Sequence, residues 1–265
     1  MMQHDAVLLN FAKNLVREVG ERIFSESKKR FILSDSIEKG MLTTGDLKSH
    51  EMIYERIKAR FPDHTFFSEE GERKQILHHT WICDPICGTY NYIRGIPYFA
   101  IGLSYLLDGR IQFSIVYNPA SRELFHAVKG EGSYLNDLKI QVSSVAKLSE
   151  GLVGFNVNFY SSFDQERGKK LFSLLCPPIV ARLRLNESAN LDLAYVACGR
   201  YDAYLHPSDK TWDKTAGKLL IEEAGGKVLD FSKEDRFTLL GKGVIATNEA
   251  LMLPLKIAIS EMLEE

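Results

Sequence analysis

The chain has 265 residues, 45% hydrophobic and 26% charged, with a formal net charge of -2. That is enough apolar material for one large core or two fused subdomains, and it excludes a disordered composition. The even charge balance leaves no basic excess for nucleic acid. The opening Met-Met-Gln-His-Asp-Ala runs into a stretch interrupted by Lys13, Arg17 and Glu18, which is neither a secretory signal nor a membrane span. The expectation is a cytoplasmic globular enzyme with no nucleic-acid and no membrane partner. Four cysteines (Cys83, Cys87, Cys176, Cys198) are too few for a disulfide framework in a chain this long, and scattered buried thiols are expected, above all at Cys176 and Cys198.

Val7, Leu8, Phe11, Leu15, Val19 and Ile23 recur at three- and four-residue intervals, which predicts an amphipathic helix over residues 5–24. Leu42-Thr-Thr-Gly-Asp46 reads as a loop, followed by a helix over 48–61 that stops at Pro62-Asp63. Thr65 to Ser68 is a short strand delivering Glu69 and Glu70. His79 to Cys83 is a second strand, delivering Asp84 where the chain is expected to turn through Pro85.

Residues 99–107, 111–117 and 123–129, separated by Asp108-Gly109 and Asn118-Pro119 and closed by a Gly130-Glu-Gly132 turn, predict an antiparallel meander. The second half alternates: strand 151–157, helix 164–175, strand 180–185, helix 188–198, strand 201–205, helix 213–224, strand 227–231, and a last helix from Asn248. The fold class is α+β, with sheets sandwiched between helix layers. A seam near residue 145 divides an N-terminal α+β subdomain (1–145) carrying the site from a C-terminal α/β subdomain (146–265), the two forming one compact unit.

Glu69 with Glu70 alone reads as a solvated acidic pair. Asp84 changes that reading: a carboxylate at a strand end, followed by Gly88-Thr89 and a helix-capable stretch, can hold a hard cation beside backbone N–H groups that receive a phosphate. Asp213 stands where a helix begins, and its local reading is that of a capping residue favouring the helix dipole.

Four ordered stretches carry a resemblance that outweighs these separate readings: Leu42-Thr-Thr-Gly-Asp46; Phe67-Ser-Glu-Glu70; Trp81-Ile-Cys-Asp-Pro-Ile-Cys-Gly-Thr-Tyr-Asn-Tyr-Ile-Arg-Gly-Ile-Pro97; and Trp212-Asp-Lys-Thr-Ala-Gly-Lys-Leu-Leu-Ile-Glu-Glu-Ala-Gly-Gly226. Over nearly its whole length the chain resembles the inositol-monophosphatase family of metal-dependent, lithium-sensitive sugar phosphatases, whose relatives act on fructose bisphosphate and nucleotide bisphosphates. The resemblance implies an αβαβα sandwich, a homodimer, a small phosphorylated substrate and Mg2+, with Mn2+ or another divalent ion as the alternative. It implies a first metal at Glu69, Asp84 and the carbonyl of Ile86, and a second at Asp84, Asp213 and position 87. Thr89, paired with Asp46, would orient and deprotonate the attacking water, while the N–H groups of Gly88 and Thr89 would hold the substrate phosphate. The reaction implied is hydrolysis of inositol monophosphate or a related sugar phosphate by in-line attack of a metal-activated water. Nucleotide 3',5'-bisphosphate hydrolysis is the alternative substrate reading.

Where the family has a third carboxylate, this chain has Cys87. A thiol is mostly uncharged near neutral pH and is a soft ligand poorly matched to magnesium. Three readings stay open: a working enzyme with a weak second metal, a site retuned toward manganese, zinc or iron, and a catalytically impaired member acting as a binding protein. On the substrate side, His206 stands where inositol-specific members have a glutamate, and Glu187 where the family often has glycine, so both are candidate pocket residues.

Overall fold

The computed structural model describes residues 3–26, 32–36, 40–71, 75–157 and 162–263. In chain order the first half contains α1 (Gln3–Ser25), β1 (Ile32–Ser36), β2 (Gly40–Thr43), α2 (Thr44–Arg60), β3 (Thr65–Ser68), β4 (His79–Cys87), α3 (Thr89–Arg94), β5 (Ala100–Leu107), β6 (Arg110–Asn118), β7 (Glu123–Val128), β8 (Gly132–Leu135) and β9 (Leu138–Lys139). The second half contains β10 (Leu152–Phe155), α4 (Ser162–Leu175), β11 (Arg182–Arg184), α5 (Ala189–Ala197), β12 (Ala203–His206), α6 (Thr211–Glu223), β13 (Gly226–Leu229), β14 (Val244–Asn248) and α7 (Glu249–Ala258).

Two sheets organise the molecule. One has seven strands in the order β3-β4-β5-β6-β7-β8-β9, and the other has five in the order β11-β10-β12-β14-β13. The large sheet is antiparallel except for the parallel pair β3 and β4. The predicted meander is the run β5 to β7, and its first turn has Asp108 and Gly109 both at positive φ, 50° and 72°, the conformation a tight two-residue hairpin requires.

Three apolar clusters separate five layers, α1/α2, large sheet, α5/α6, small sheet, α4/α7, which is the expected αβαβα sandwich. Leu8, Leu15, Val19 and Ile23 of α1 meet Ile53 and Ile57 of α2 and one face of the large sheet. Each such fully buried side chain contributes about 1.5–3 kcal/mol relative to exposure. Leu191, Leu193, Leu220 and Ile221 of the central helices pack against Ile82, Val116 and Phe125 of the large sheet and Tyr204, Val228 and Ala246 of the small one, so both halves of the chain share one core.

Several local expectations differ from what forms. Residues 42–46 are not a loop: β2 ends at Thr43 and α2 begins at Thr44, because Thr43 caps the helix and Asp46 returns the bond to the Thr43 backbone, the reciprocal pair of a capping box. The chain does not turn at Pro85 either, since β4 continues to Cys87. Cys176 and Cys198 are only half-buried, while Cys83 and Cys87 are buried, and all four are free thiols.

Candidate active site

Thr65↔Thr80 through Ser68↔Cys83 are the partners of β3 and β4, so the next residues in register are Glu69 and Asp84. Parallel neighbours in register share a face, which brings the two acidic tips together, and the Glu69 N–H donates to the Cys83 carbonyl at 3.2 Å to fix that step. Pairing of β4 with β5 then runs Asp84↔Gly102 and next Cys87↔Ala100, three residues against two. The extra residue makes a β-bulge, and Pro85 fits there because it has no N–H to lose. In a regular strand residues three apart face opposite sides. The bulge instead returns Cys87 to the side of Asp84, toward α5 and α6, while Cys83 and Ile86 pack on the α1/α2 side.

From the opposite side α6 presents Asp213 in its first turn, where its carboxylate accepts from the Lys210 N–H at 3.1 Å. The capping reading of Asp213 is thus correct as far as it goes, and the same carboxylate also reaches across the layer. Ligand atoms of Asp84, Cys87 and Asp213 all lie within 4.8 Å of one another. Glu69 stands beside this trio with the Lys210 ammonium 3.9 Å away.

The electrostatics are those of crowded acids. Burial, then the neighbouring charge of Asp213, pushes Glu69 up to about 8. Burial and then Glu69 push Asp84 well above the usual carboxylate range, and Asp213 is raised mainly by burial. The Cys87 thiol is likewise raised by burial and by Asp84, so it stands protonated. Asp84 Oδ1 is buried with no hydrogen-bond partner among the described residues. Acids held so close together, with only lysine charges at their edge, fit a divalent cation: carboxylate oxygens suit a hard ion, and the thiol is the one mismatched donor.

Thr89 opens α3 next to this cluster. Its hydroxyl stands 3.0 Å from Asp46 Oδ1 and 3.1 Å from the Ile86 carbonyl, so its single proton has two acceptors. Asp46 is held by the N–H and hydroxyl of Thr43 and is raised by burial. Gly88, before Thr89, has φ 98°, and a Cβ there would meet Ser188, the Glu187 carbonyl and the Tyr98 carbonyl at 3.1–3.2 Å. Only glycine meets both demands.

Glu187 itself sits at φ 57°, the backbone that explains a glycine preference at this position, and its half-buried carboxyl is raised by burial. His206 ends β12 inside the protein, 5% exposed, with its Nδ1 accepting from the Ser208 N–H at 3.1 Å. Burial holds it neutral, its pKa lowered to about 3. Its near-complete burial leaves little of the ring to meet a ligand from solvent.

Three residues escaped the sequence reading. Asn190 of α5 donates from Nδ2 to Asp84 Oδ2 at 2.9 Å and to the Trp212 carbonyl at 3.2 Å, and its N–H donates to Cys87 Sγ at 3.2 Å. Gly102 makes room for it, since a Cβ there would fall 2.8 Å from the Asn190 amide. Lys214, fully buried, bonds Asp230 at 3.0 Å and the carbonyls of Gly241 and Gly243 at 2.7 and 3.1 Å, anchoring the helix that carries Asp213. Local sequence signals mark none of these, because each partner comes from a distant element.

A layered α+β fold presenting clustered carboxylates beside a hydroxyl and a glycine-opened helix suits the hydrolysis of phosphate esters, and the family and relatives that the chain matches are those of a phosphatase. The chain belongs to the inositol monophosphatase family, which it matches over residues 4–263. It is 32% identical over 266 residues to the fructose-1,6-bisphosphatase/inositol-1-monophosphatase of Thermotoga maritima, covering 97% of each chain. It is 33% identical over 249 residues to the Nus factor SuhB of Pasteurella multocida, covering 90% of this chain and 91% of that one. Among solved structures, the Thermotoga maritima IMPase superposes with a TM-score of 0.86 at 30% identity, covering 96% of this chain and 97% of that one.

Proposed function

We propose that the chain is a divalent-cation-dependent phosphomonoesterase acting on inositol monophosphate or a related sugar phosphate. The observation that carries this reading is the convergence of Asp84, Cys87 and Asp213 within 4.8 Å beside Glu69, flanked by the Thr89 and Asp46 pair. Glu69, Asp84 and the Ile86 carbonyl would hold one cation, and Asp84, Asp213 and Cys87 a second, with Mg2+ the first choice and Mn2+ the alternative. Bound there, such ions lower the pKa of water and offset charge on phosphate oxygens.

The chain's own groups account for the proton. Thr89 passes its hydroxyl proton to Asp46 Oδ1 as it takes one from the attacking water. Burial strengthens Asp46 as the acceptor, and Thr43 holds it in place. The N–H groups of Gly88 and Thr89 receive the phosphate at the start of α3. The Lys210 ammonium tempers the acids that surround the site. The reading carries with it lithium sensitivity, a homodimer tested by light scattering, and a cytoplasmic setting.

Phosphate release from inositol monophosphate, fructose bisphosphate and adenosine 3',5'-bisphosphate, each with Mg2+ and with Mn2+, tests the proposal and orders the substrates. No release from any ester with either ion would reject it. A second reading, a binding or regulatory protein with an impaired site, is favoured by the protonated Cys87 thiol, and relatives named Nus factor SuhB stand beside it. It expects Cys87→Asp to create activity that the parent lacks, so strong parent activity excludes it.

A further inference from the structure

Beside the acids lies a cavity of roughly 900 Å3 that the arrangement above does not use. Phe67 and Trp212 share its wall, their ring centroids 5.9 Å apart. Phe67 precedes Glu69 by two residues, and Trp212 directly precedes Asp213. Lys210 makes the junction: it lines the cavity too, and its ammonium stands 3.9 Å from Glu69 and 5.4 Å from the centre of the Trp212 ring. The cavity therefore adjoins the acidic cluster.

Size is the first guide to its occupant. Sites that enclose drug-sized ligands run from about 300 to about 1,000 Å3, and this cavity stands near the upper end, with more room than one polyol ring fills. Charge is the second guide. Three cations stand in the wall, Arg167 of α4, Lys210 and Lys242. The acids of the wall are Asp164 and Asp209, and both carboxyl oxygens of Asp209 are buried. Arg167 stands over the rings of Phe163 and Phe231, 5.4 and 5.7 Å from their centroids. Stacking of this kind fixes the plane of a guanidinium and sets its donors at the edge, as a fork that matches phosphate oxygens. Lys242 is exposed and adds a point charge from the connection between β13 and β14.

A neutral polyol ring gives such a wall nothing to hold, because the one phosphate of its ester stays with the acids and Gly88. A leaving group with an anion of its own uses both the room and the charge. We propose that the cavity seats the leaving group, and that Arg167 and Lys242 are specificity-determining residues binding a second phosphate which that group carries. The inference rests on the phosphomonoesterase reading above and narrows its substrate class to bisphosphates, with a sugar or a nucleoside as the body.

The test compares matched esters on the full chain at fixed free Mg2+: fructose 1,6-bisphosphate against fructose 1-phosphate, and adenosine 3',5'-bisphosphate against adenosine 3'-phosphate, with inositol monophosphate as the neutral reference. In at least one pair the bisphosphate is expected to lead in kcat/KM by about 10–100-fold, the scale of hydrogen bonds to charged groups. The pair with the larger lead identifies the body. Arg167→Gln and Lys242→Gln are each expected to cut that lead roughly tenfold, mainly through KM, and Arg167→Lys to recover part of it. Lys242 is exposed, so its variant reads the charge even where Arg167→Gln disturbs the packing on Phe231. Equal kcat/KM within both pairs, or release from inositol monophosphate alone, overturns the inference and leaves the phosphomonoesterase reading standing. A lead that survives both Gln variants, or an equal loss on monophosphate and bisphosphate, overturns it as well. No release from any of the five esters overturns the phosphomonoesterase reading and takes this inference with it.

Discussion

Replacing Cys87 by aspartate puts a third carboxylate into a buried position whose ligand atom lies within 4.8 Å of those of Asp84 and Asp213. At an effective dielectric near 20, two unit charges at such a distance repel by roughly 3–4 kcal/mol. Protonation limits the damage, because holding a carboxyl of ordinary pKa near 4 neutral at pH 7 costs about 4 kcal/mol. Without metal, Cys87→Asp is therefore expected to lose up to about 4 kcal/mol, a fall in Tm of roughly 5–15 °C for a chain of this size. With a divalent cation the sign reverses, since the added carboxylate gains a hard partner and each tenfold in affinity returns about 1.4 kcal/mol. Differential scanning fluorimetry in chelator and across a Mg2+ series checks the stability, and phosphate release over the same series checks the activity. The variant should melt lower in chelator, show the larger Mg2+ shift and reach half-maximal activity at about tenfold lower Mg2+. Identical melts in chelator together with identical Mg2+ curves would refute the placement of Cys87 at a cation position.

Thr89→Ala removes the hydroxyl that links Asp46 to the site and should lower kcat by about 10²–10⁴ with an unchanged melt, while Thr89→Ser retains most of the rate. Gly102→Ala drives a methyl to 2.8 Å from the Asn190 amide. It should cost about 1–3 kcal/mol in urea denaturation and weaken Mn2+ binding, and a silent substitution would mean that Asn190 does not orient Asp84. Lys214→Met strands Asp230 in the interior and should destabilise by about 3–5 kcal/mol, read in the same denaturation. Glu69 and Glu70 are pushed up to about 8 and about 7 without a cation. Folding thus favours their protonated forms, so this contribution is complete below about pH 4.5 and is lost as the pH climbs through 7 and 8. Melts in chelator should fall over that window, and Mg2+ should flatten the profile while binding more tightly as pH rises. A level chelator profile would contradict the crowding of the acids.

Much of the scaffold was legible because its signals are local. The three- and four-residue spacing that made α1 visible is the pattern that packs Leu8, Leu15, Val19 and Ile23 against the sheet, and Asp108-Gly109 marks its hairpin by backbone preference alone. The strand β14 was missed because its five residues are buried throughout and so show no alternation. The pair β8 and β9 was missed because it is too short for any period to register. Thr43 and Asp46 carry a capping box in plain sight, yet a small polar stretch at a helix start looks like a loop until the reciprocal bonds are counted.

The site divides along the same line. The acidic tips Glu69 and Asp84 were readable as strand ends, and β3 and β4 pair in parallel as that reading needs. Strict alternation along β4 would nevertheless have set Asp84 and Cys87 on opposite faces, and only the extra residue of the bulge brings both toward Asp213. A pattern read two residues at a time cannot register one residue too many. The supporting groups are further removed, since Asn190 needs Gly102 from another layer and Lys214 finds Asp230 and the carbonyls of Gly241 and Gly243 only once the chain has folded. Substitution of a metal-binding position is therefore poorly judged from the substituted residue alone: the charge that decides cation affinity belongs to the buried cluster of Glu69, Asp84 and Asp213, which three separate elements bring together.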